Sequence, residues 1–298
     1  MNITTFEELK EISEKKHKKI WELTQEEEGV NSDMSVSNVR SQVLKHITTM
    51  KETIKTGLAS NEKSVSGWCG DDCEKLIKYY KKNNSPFGKL YEKILTYSLA
   101  TSEENLRMGR IVACPTAGSC GIIPGVLVAY SEEYKWTEDE QINFLITAGK
   151  IGSIISNKVQ LAGAVAGCQA ECGVASAMCA GALAQAILKE NYDTNIILNA
   201  ATLAIKNLLG LTCDPVCGLV EVPCIKRNPL LSIHAVNAAE LALAGIESKI
   251  PPDEVIDAML QTGQLMSPML KESSLAGLAT TKTGLKLKEK LSALVFKI

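Results

Sequence analysis

The chain has 298 residues, 45% hydrophobic and 22% charged, with Lys+Arg 32 against Asp+Glu 34. That composition excludes wholesale disorder and collagen-like or coiled-coil sequence, and it leaves enough apolar surface for a core without staples. A formal net charge of −2 and 5% aromatic residues remove the two ordinary means of holding nucleic acid, clustered bases and stacking rings.

The N-terminus (MNITTFEELKEISEKKHKKIWEL) is charged and lacks an apolar stretch, so it does not read as a signal peptide. The expected location is a reducing cytoplasm, where ten cysteines point to metal, redox or catalytic chemistry rather than disulfides. Phe6, Leu9 and Ile12 have helical spacing. The run Lys15 to Lys19 reads as a solvated face. Val39, Val43, Ile47 and Met50 predict a helix within residues 31–60. Residues 61–90 are polar and rich in turn formers, which predicts a loop. A helix follows from about Leu90 to Thr101.

Residues 109–125 (GRIVACPTAGSCGIIPG) form a Gly- and Pro-rich loop that feeds a helix predicted from Ile122 to Tyr134. A loop entering a helix N-terminus presents backbone N–H groups to anions. Thr137 with Glu140 makes a capping box for a helix reaching about Ile155. Between Lys158 and Lys189 the only charge is Glu171. The stretch is mostly Ala and Gly, which contribute little transfer energy, so it reads as a buried helix from Cys168 to Glu190 and not a membrane span. A helix from Asn195 to Leu209 stops at Gly210. Pro215, Pro223 and Pro229 then predict broken structure, followed by helices from Leu230 to Gly245 and from Pro252 to Gly263. Residues 282–298 are basic and then apolar. No repeat and no clear linker divides the chain.

Three cysteine pairs, 69/73, 168/172 and 213/217, have CxxxC spacing, unlike the CxxC of zinc ribbons and thioredoxin-type sites. The histidines (His17, His46 and His234) do not complete a Cys/His zinc set. Cys213 and Cys224 lie in a Pro-stiffened loop, and Cys168 opens an Ala/Gly helix. Thiolates from separate segments can converge on an inorganic cluster, yet free cysteine is also a common buried filler. Spacing alone leaves both readings open for these three. Cys114, Cys120 and Cys179 read as filler.

Four segments carry a resemblance: ACPTAGSCGIIPGVL (113–127), GAVAGCQAECGVASAMCAGALA (163–184), GLTCDPVCGLVEVPCIKRN (210–228) and MLKESSLAGLA (269–279). In this order they resemble the alpha chain of the iron–sulfur-dependent L-serine dehydratases, over about Gly109 to Ala279. The predicted elements make a mainly α fold, an Ala/Gly-rich helical domain, to which the resemblance adds a cluster-binding loop. The resemblance implies a single catalytic domain over 1–298, with 1–100 as a peripheral helical part. It also implies a [4Fe–4S] cluster on Cys168, Cys213 and Cys224, with Cys172 and Cys217 placed to substitute. The implied reaction converts L-serine to pyruvate and ammonia, with the open iron acting as Lewis acid on the hydroxyl.

Within the matched motifs, Lys271 is the catalytic candidate. Thr116, Gly118, Ser119 and Ser273 are the substrate-binding candidates. The Cα base is not identified, and His234 reads as packed or surface histidine. The implied partner is a beta chain, which is also a potential source of the base. The alternatives are L-cysteine or L-threonine at the same site, a pyridoxal-dependent dehydratase, and a non-catalytic iron or redox sensor. The GSCGIIPG loop holds no lysine for a Schiff base, which counts against the pyridoxal enzyme.

Overall fold

The computed structural model describes residues 2–295, and the final Phe296-Lys297-Ile298 lie outside it. Among the described residues there is no β-strand, only one isolated parallel bridge between Cys213 and Lys271. The fold is mainly α, as the sequence predicts.

The helices in chain order are α1 (Phe6–Lys16), α2 (Ile20–Asn31), α3 (Val36–Ala59), α4 (Asp72–Lys82), α5 (Gly88–Leu106), α6 (Ile122–Glu133) and α7 (Glu138–Ser156). They continue with α8 (Gly163–Ala166), α9 (Val174–Leu188), α10 (Thr194–Lys206), α11 (Cys224–Leu243), α12 (Pro252–Leu265) and α13 (Lys282–Val295).

The axis is α9, a helix apolar on every side, which is stable only when every side is covered. Its residues from Val174 to Gln185 are all buried, packed by α6, α7, α10 and α11. The segment Gln169–Asn191 is long and apolar enough to cross a membrane by composition, but its Ala, Gly and Ser residues let four helices close on it, as in a soluble core. Helix α5 makes a second centre against α3, α6 and α11. The capping box at Thr137 forms as expected, with Thr137 accepting from Glu140 N at 3.2 Å and the Glu140 carboxylate accepting from Thr137 N at 2.7 Å.

Two expectations are corrected. The loop predicted over 61–90 contains α4. Only one face of α4 is covered, at Cys73 with the partly buried Leu76 and Ile77, so its composition looks like loop; Asp72 and Glu74 in its first turn and Lys81 and Lys82 in its last suit the helix dipole. Pro229 does not break the chain: α11 starts at Cys224 and runs through it. Proline so near the start removes a single ladder bond, and the Asn228 side chain caps the Cys224 carbonyl at 3.1 Å.

The N-terminal segment is held by a buried ion pair. Lys150 Nζ donates to Glu27 Oε2 at 2.6 Å and to the Ile3 carbonyl at 3.0 Å, and Glu27 Oε1 accepts from Ile3 N at 2.8 Å. The Lys150 and Glu27 side chains are only 5% and 7% exposed. Replacing one member strands the other charge in the core, so Lys150→Met should cost about 3–5 kcal/mol in denaturant titration. The double replacement with Glu27→Met should recover much of that loss.

Candidate functional site

The site grows out of a break in the central helix. Between α8 and α9 the chain turns at Gly167, whose φ of 78° is in the left-handed region, and then makes a π-turn, Gln169–Gly173. Such turns carry one extra residue and re-aim side chains. Gln169 fixes this one: its Nε2 donates to the Met259 carbonyl at 3.0 Å, its Oε1 accepts from Gly210 N at 2.8 Å, and its own N–H reaches Leu211 O at 3.0 Å. Cys168 and Cys172 thereby lie against the loop that follows Gly210.

That loop brings in Cys213. It is stitched to the segment 268–272, with Cys213 N donating to Leu270 O at 2.9 Å and Glu272 N to Cys213 O at 2.6 Å. Cys224 enters from the first turn of α11. All four cysteines are buried. Hydrogen bonds from the Cys172 and Cys213 thiols, helped by the Arg227 guanidinium, hold the Cys168 thiol well below its ordinary value as a thiolate. Its partners move the other way: sharing with Cys168 raises Cys172 and Cys213, and burial pushes Cys224 up to about 12. One thiolate among three thiols, with a single guanidinium beside it, is a donor set short of positive charge. Soft sulfur donors from three separate segments suit a thiophilic metal or an iron–sulfur cluster. Gly163 clears space on one side, since a Cβ there would lie 2.9 Å from Cys213 Sγ.

Arg227 is itself held, donating to the Thr212 carbonyl at 2.9 Å and to Asp214 Oδ1 at 3.2 Å. Asp214 Oδ2 accepts from Leu278 N at 2.9 Å, which docks the end of the fourth motif.

The loop 114–121 closes the opposite wall. The Thr116 hydroxyl donates to Glu171 Oε1. A Cβ on Gly118 would lie 2.5 Å from the same oxygen. Ser119 is fully buried, and its hydroxyl donates to the Cys114 carbonyl at 3.1 Å and lies 3.1 Å from Thr116 Oγ1. It shapes the loop from within. Burial, together with the Cys168 thiolate and Glu272, pushes the Glu171 carboxyl up to about 7, against the Thr116 hydroxyl and Arg227, which lower it. Glu171 Oε and the sulfurs of Cys168 and Cys172 lie within 4.8 Å of one another.

Cys168, Cys172 and Cys213 therefore come together beside Thr116 and Gly118, and Cys224 lies near enough to feel the Cys168 charge. Lys271 reaches the site through its backbone bridge to Cys213, and its Nζ has no hydrogen-bond or ion-pair partner among the described residues. Ser273 Oγ donates to Met269 O at 2.8 Å and closes its own turn. Cys217 is partly exposed, and its electrostatic neighbour is Lys288, not the thiol group. His234 Nε2 lies 2.9 Å from the Ala204 carbonyl, as a packed histidine does. Cys114, Cys120 and Cys179 are buried, with Cys114 pushed up to about 12 by burial.

Sequence reasoning missed Glu171, Arg227, Asp214 and Asn228. Glu171 carried a signal, as the only charge in its apolar stretch.

The profile of the family "Serine dehydratase alpha chain" matches residues 15–279. The chain belongs to the serine dehydratase alpha chain family. It is 40% identical over 284 residues to the probable L-serine dehydratase alpha chain of Bacillus subtilis, covering 95% of this chain and 93% of that one. It is 38% identical to the L-serine dehydratase alpha chain of Peptoniphilus asaccharolyticus, covering 96% and 97%. The match to L-serine dehydratase TdcG of Escherichia coli, 39% identical, covers 68% of this chain but 44% of that longer protein. All four motifs lie within the residues that the family profile matches.

One residue ties the site together. Asn228 Nδ2 donates to Gly118 O at 2.8 Å and to Cys224 O at 3.1 Å, and its Oδ1 accepts from Gly121 N at 2.9 Å at the start of α6. Asn228→Ala would leave buried groups of two segments unpaired. It should cost about 2–3 kcal/mol in thermal or denaturant unfolding and speed amide exchange at Gly121.

Proposed function

We propose that this chain is the cluster-bearing alpha chain of an iron–sulfur-dependent L-serine dehydratase, forming pyruvate and ammonia from L-serine. What supports the reading is the hydrogen-bonded approach of Cys213 to Cys168, with Cys224 from a third segment near enough to feel the Cys168 charge, beside the loop of Thr116 and Gly118. In this reading those three thiolates hold a [4Fe–4S] cluster, and the whole chain works as one catalytic domain. When bound, the cluster supplies a Lewis acid that stabilises the hydroxyl as it leaves.

The chain's own residues shape the surroundings. Arg227, locked by Asp214, offsets the negative charge of the thiolates. Thr116 and Gly118 line the wall that we assign to the small amino-acid substrate, and Ser119 keeps that wall's shape. Lys271, backbone-bound to Cys213, is close in the chain to one ligand and carries an unpaired ammonium, which fits it to hold a proton or a carboxylate. Ser273 serves the turn that presents Lys271. The aminoacrylate product then tautomerises and hydrolyses without help.

The names of relatives as alpha chains support a beta partner, as does the match to less than half of the longer Escherichia coli protein. We take the Cα base to lie on that partner. The buried thiols and the reducing chemistry they need support a cytoplasmic location. L-Cysteine and L-threonine are the competing substrates. They differ from serine by one sulfur or one methyl, a difference decided in the pocket.

Anaerobic purification with the partner chain, iron and sulfide analysis, and a pyruvate assay with each amino acid test the reading. The expected result is air-bleached absorption that disappears together with serine turnover. Iron-free protein, or turnover without iron, would sink it. Cys168→Ala, Cys213→Ala and Cys224→Ala should each lose cluster and activity, whereas Cys172→Ala and Cys217→Ala should keep cluster content. Full iron in Cys224→Ala with loss in Cys172→Ala would move the third ligand to Cys172.

A further inference from the structure

We propose that Glu171 binds the ammonium group of the substrate and thereby sets the preference for an α-amino acid over the matching α-hydroxy acid. This rests on the serine dehydratase reading and adds a residue to it.

The argument begins with charge balance. An ionised group taken out of water is expensive unless it is paired. Of the acids nearby, Asp214 has Arg227, Asp72 has Lys226 and Glu103 has Arg107, while Glu272, with no ion pair among the described residues, is exposed to water. Glu221 lacks one, but a single oxygen of it accepts from both Ser64 and Ser66, at 2.8 and 2.7 Å. Glu171 has the Thr116 hydroxyl on Oε1. Its Oε2 has no hydrogen-bond donor among the described residues, and no Lys, Arg or His there lies within ion-pair distance. The carboxylate faces a thiolate, which worsens the imbalance. In the empty site burial relieves this by raising the carboxyl to about 7; a bound ammonium would relieve it with the carboxyl ionised, and the substrate brings one.

Geometry agrees. The carboxylate is flanked by two glycines, with the Cβ position of Gly118 2.5 Å from Oε1 and that of Gly163 3.1 Å from Oε2. Any side chain at either place would displace it. Thr116 occupies one oxygen and fixes the orientation, which leaves Oε2 as the acceptor. The thiols of Cys168 and Cys172 lie within 4.8 Å of the carboxylate. A small molecule anchored by its ammonium at Oε2 therefore presents the rest of itself to whatever those thiols hold. A charge-assisted bond of this kind is about twice as strong as a neutral one, and a hydroxyl in place of the ammonium loses that advantage.

The test uses the reconstituted enzyme with its partner chain, kept anaerobic. Iron per chain is measured, as is binding of L-serine and of L-glycerate, which carries a hydroxyl where serine carries the ammonium, alongside pyruvate formation. Glu171→Gln should keep wild-type iron, weaken serine binding by about tenfold or more and leave glycerate within about twofold. Glu171→Asp should fall between. Unchanged serine binding in Glu171→Gln, or equal weakening of both ligands, overturns the proposal. Loss of iron also overturns it, because it would make Glu171 a ligand of the metal. If wild-type enzyme makes pyruvate and Glu171→Gln still discriminates, the ammonium site fails and the lyase reading stands. If wild-type enzyme makes no pyruvate yet prefers serine through Glu171, the lyase reading fails and the ammonium site stands. Binding of neither ligand by wild-type enzyme defeats both.

Discussion

The structure depends on one buried amide. Asn228 sits one turn into α11 and bonds at once to the loop before α6, to the N–H of Gly121 that caps that helix, and to the carbonyl of Cys224. A side-chain amide offers donors and an acceptor from a single rigid plane. Here it sets the separation between two segments that are far apart in sequence. Cys224, Arg227 and Asn228 follow closely along one helix, so the same turn supplies a sulfur, a cation and the tie. The π-turn at Gln169 does the corresponding job on the other wall, where a second buried amide bonds to Gly210 and Met259.

Much of this was legible in the sequence, and the reasons differ by feature. The capping box at Thr137 and the start of α6 at Ile122 are local, and local chemistry decides them. The thiols could be grouped because CxxxC spacing and flanking prolines are visible in one dimension. What sequence could not give was which of the ten cysteines meet. Cys172 joins the group and Cys217 does not, though the two have equivalent spacing from their neighbours. The difference is a π-turn in one case and a residue with φ of 60° in the other. Helix α4 was hidden because only one narrow face of it is covered. Pro229 misled because its cost depends on how near it lies to the helix start. Glu171 was noticed as an oddity in an apolar stretch, but its meaning needed the Thr116 loop, which is more than fifty residues away in the chain.

The electrostatics of the site follow from that assembly. Three thiols with raised values surround one thiolate, with a single arginine and an unpaired carboxyl beside them. Isolated, this arrangement is a poor place for protons to leave. A bound cation changes the balance for every group at once, because metal ions are the largest local charges in such sites. On the proposed reading, binding and deprotonation are coupled, and proton release would accompany loading.

The site draws on positions 116, 168, 213, 224 and 271, and on a bridge between the third and fourth motifs. Nothing resembling it exists in a partly made chain. Contacts this distant in sequence form late, so the nascent polypeptide must complete its helical core before the sulfurs face each other. On the proposed reading, maturation then has a fixed order, with the protein shell first and its inorganic contents second. The finished fold keeps Cys168, Cys172, Cys213 and Cys224 buried, sheltered from the oxidants that would otherwise cross-link them.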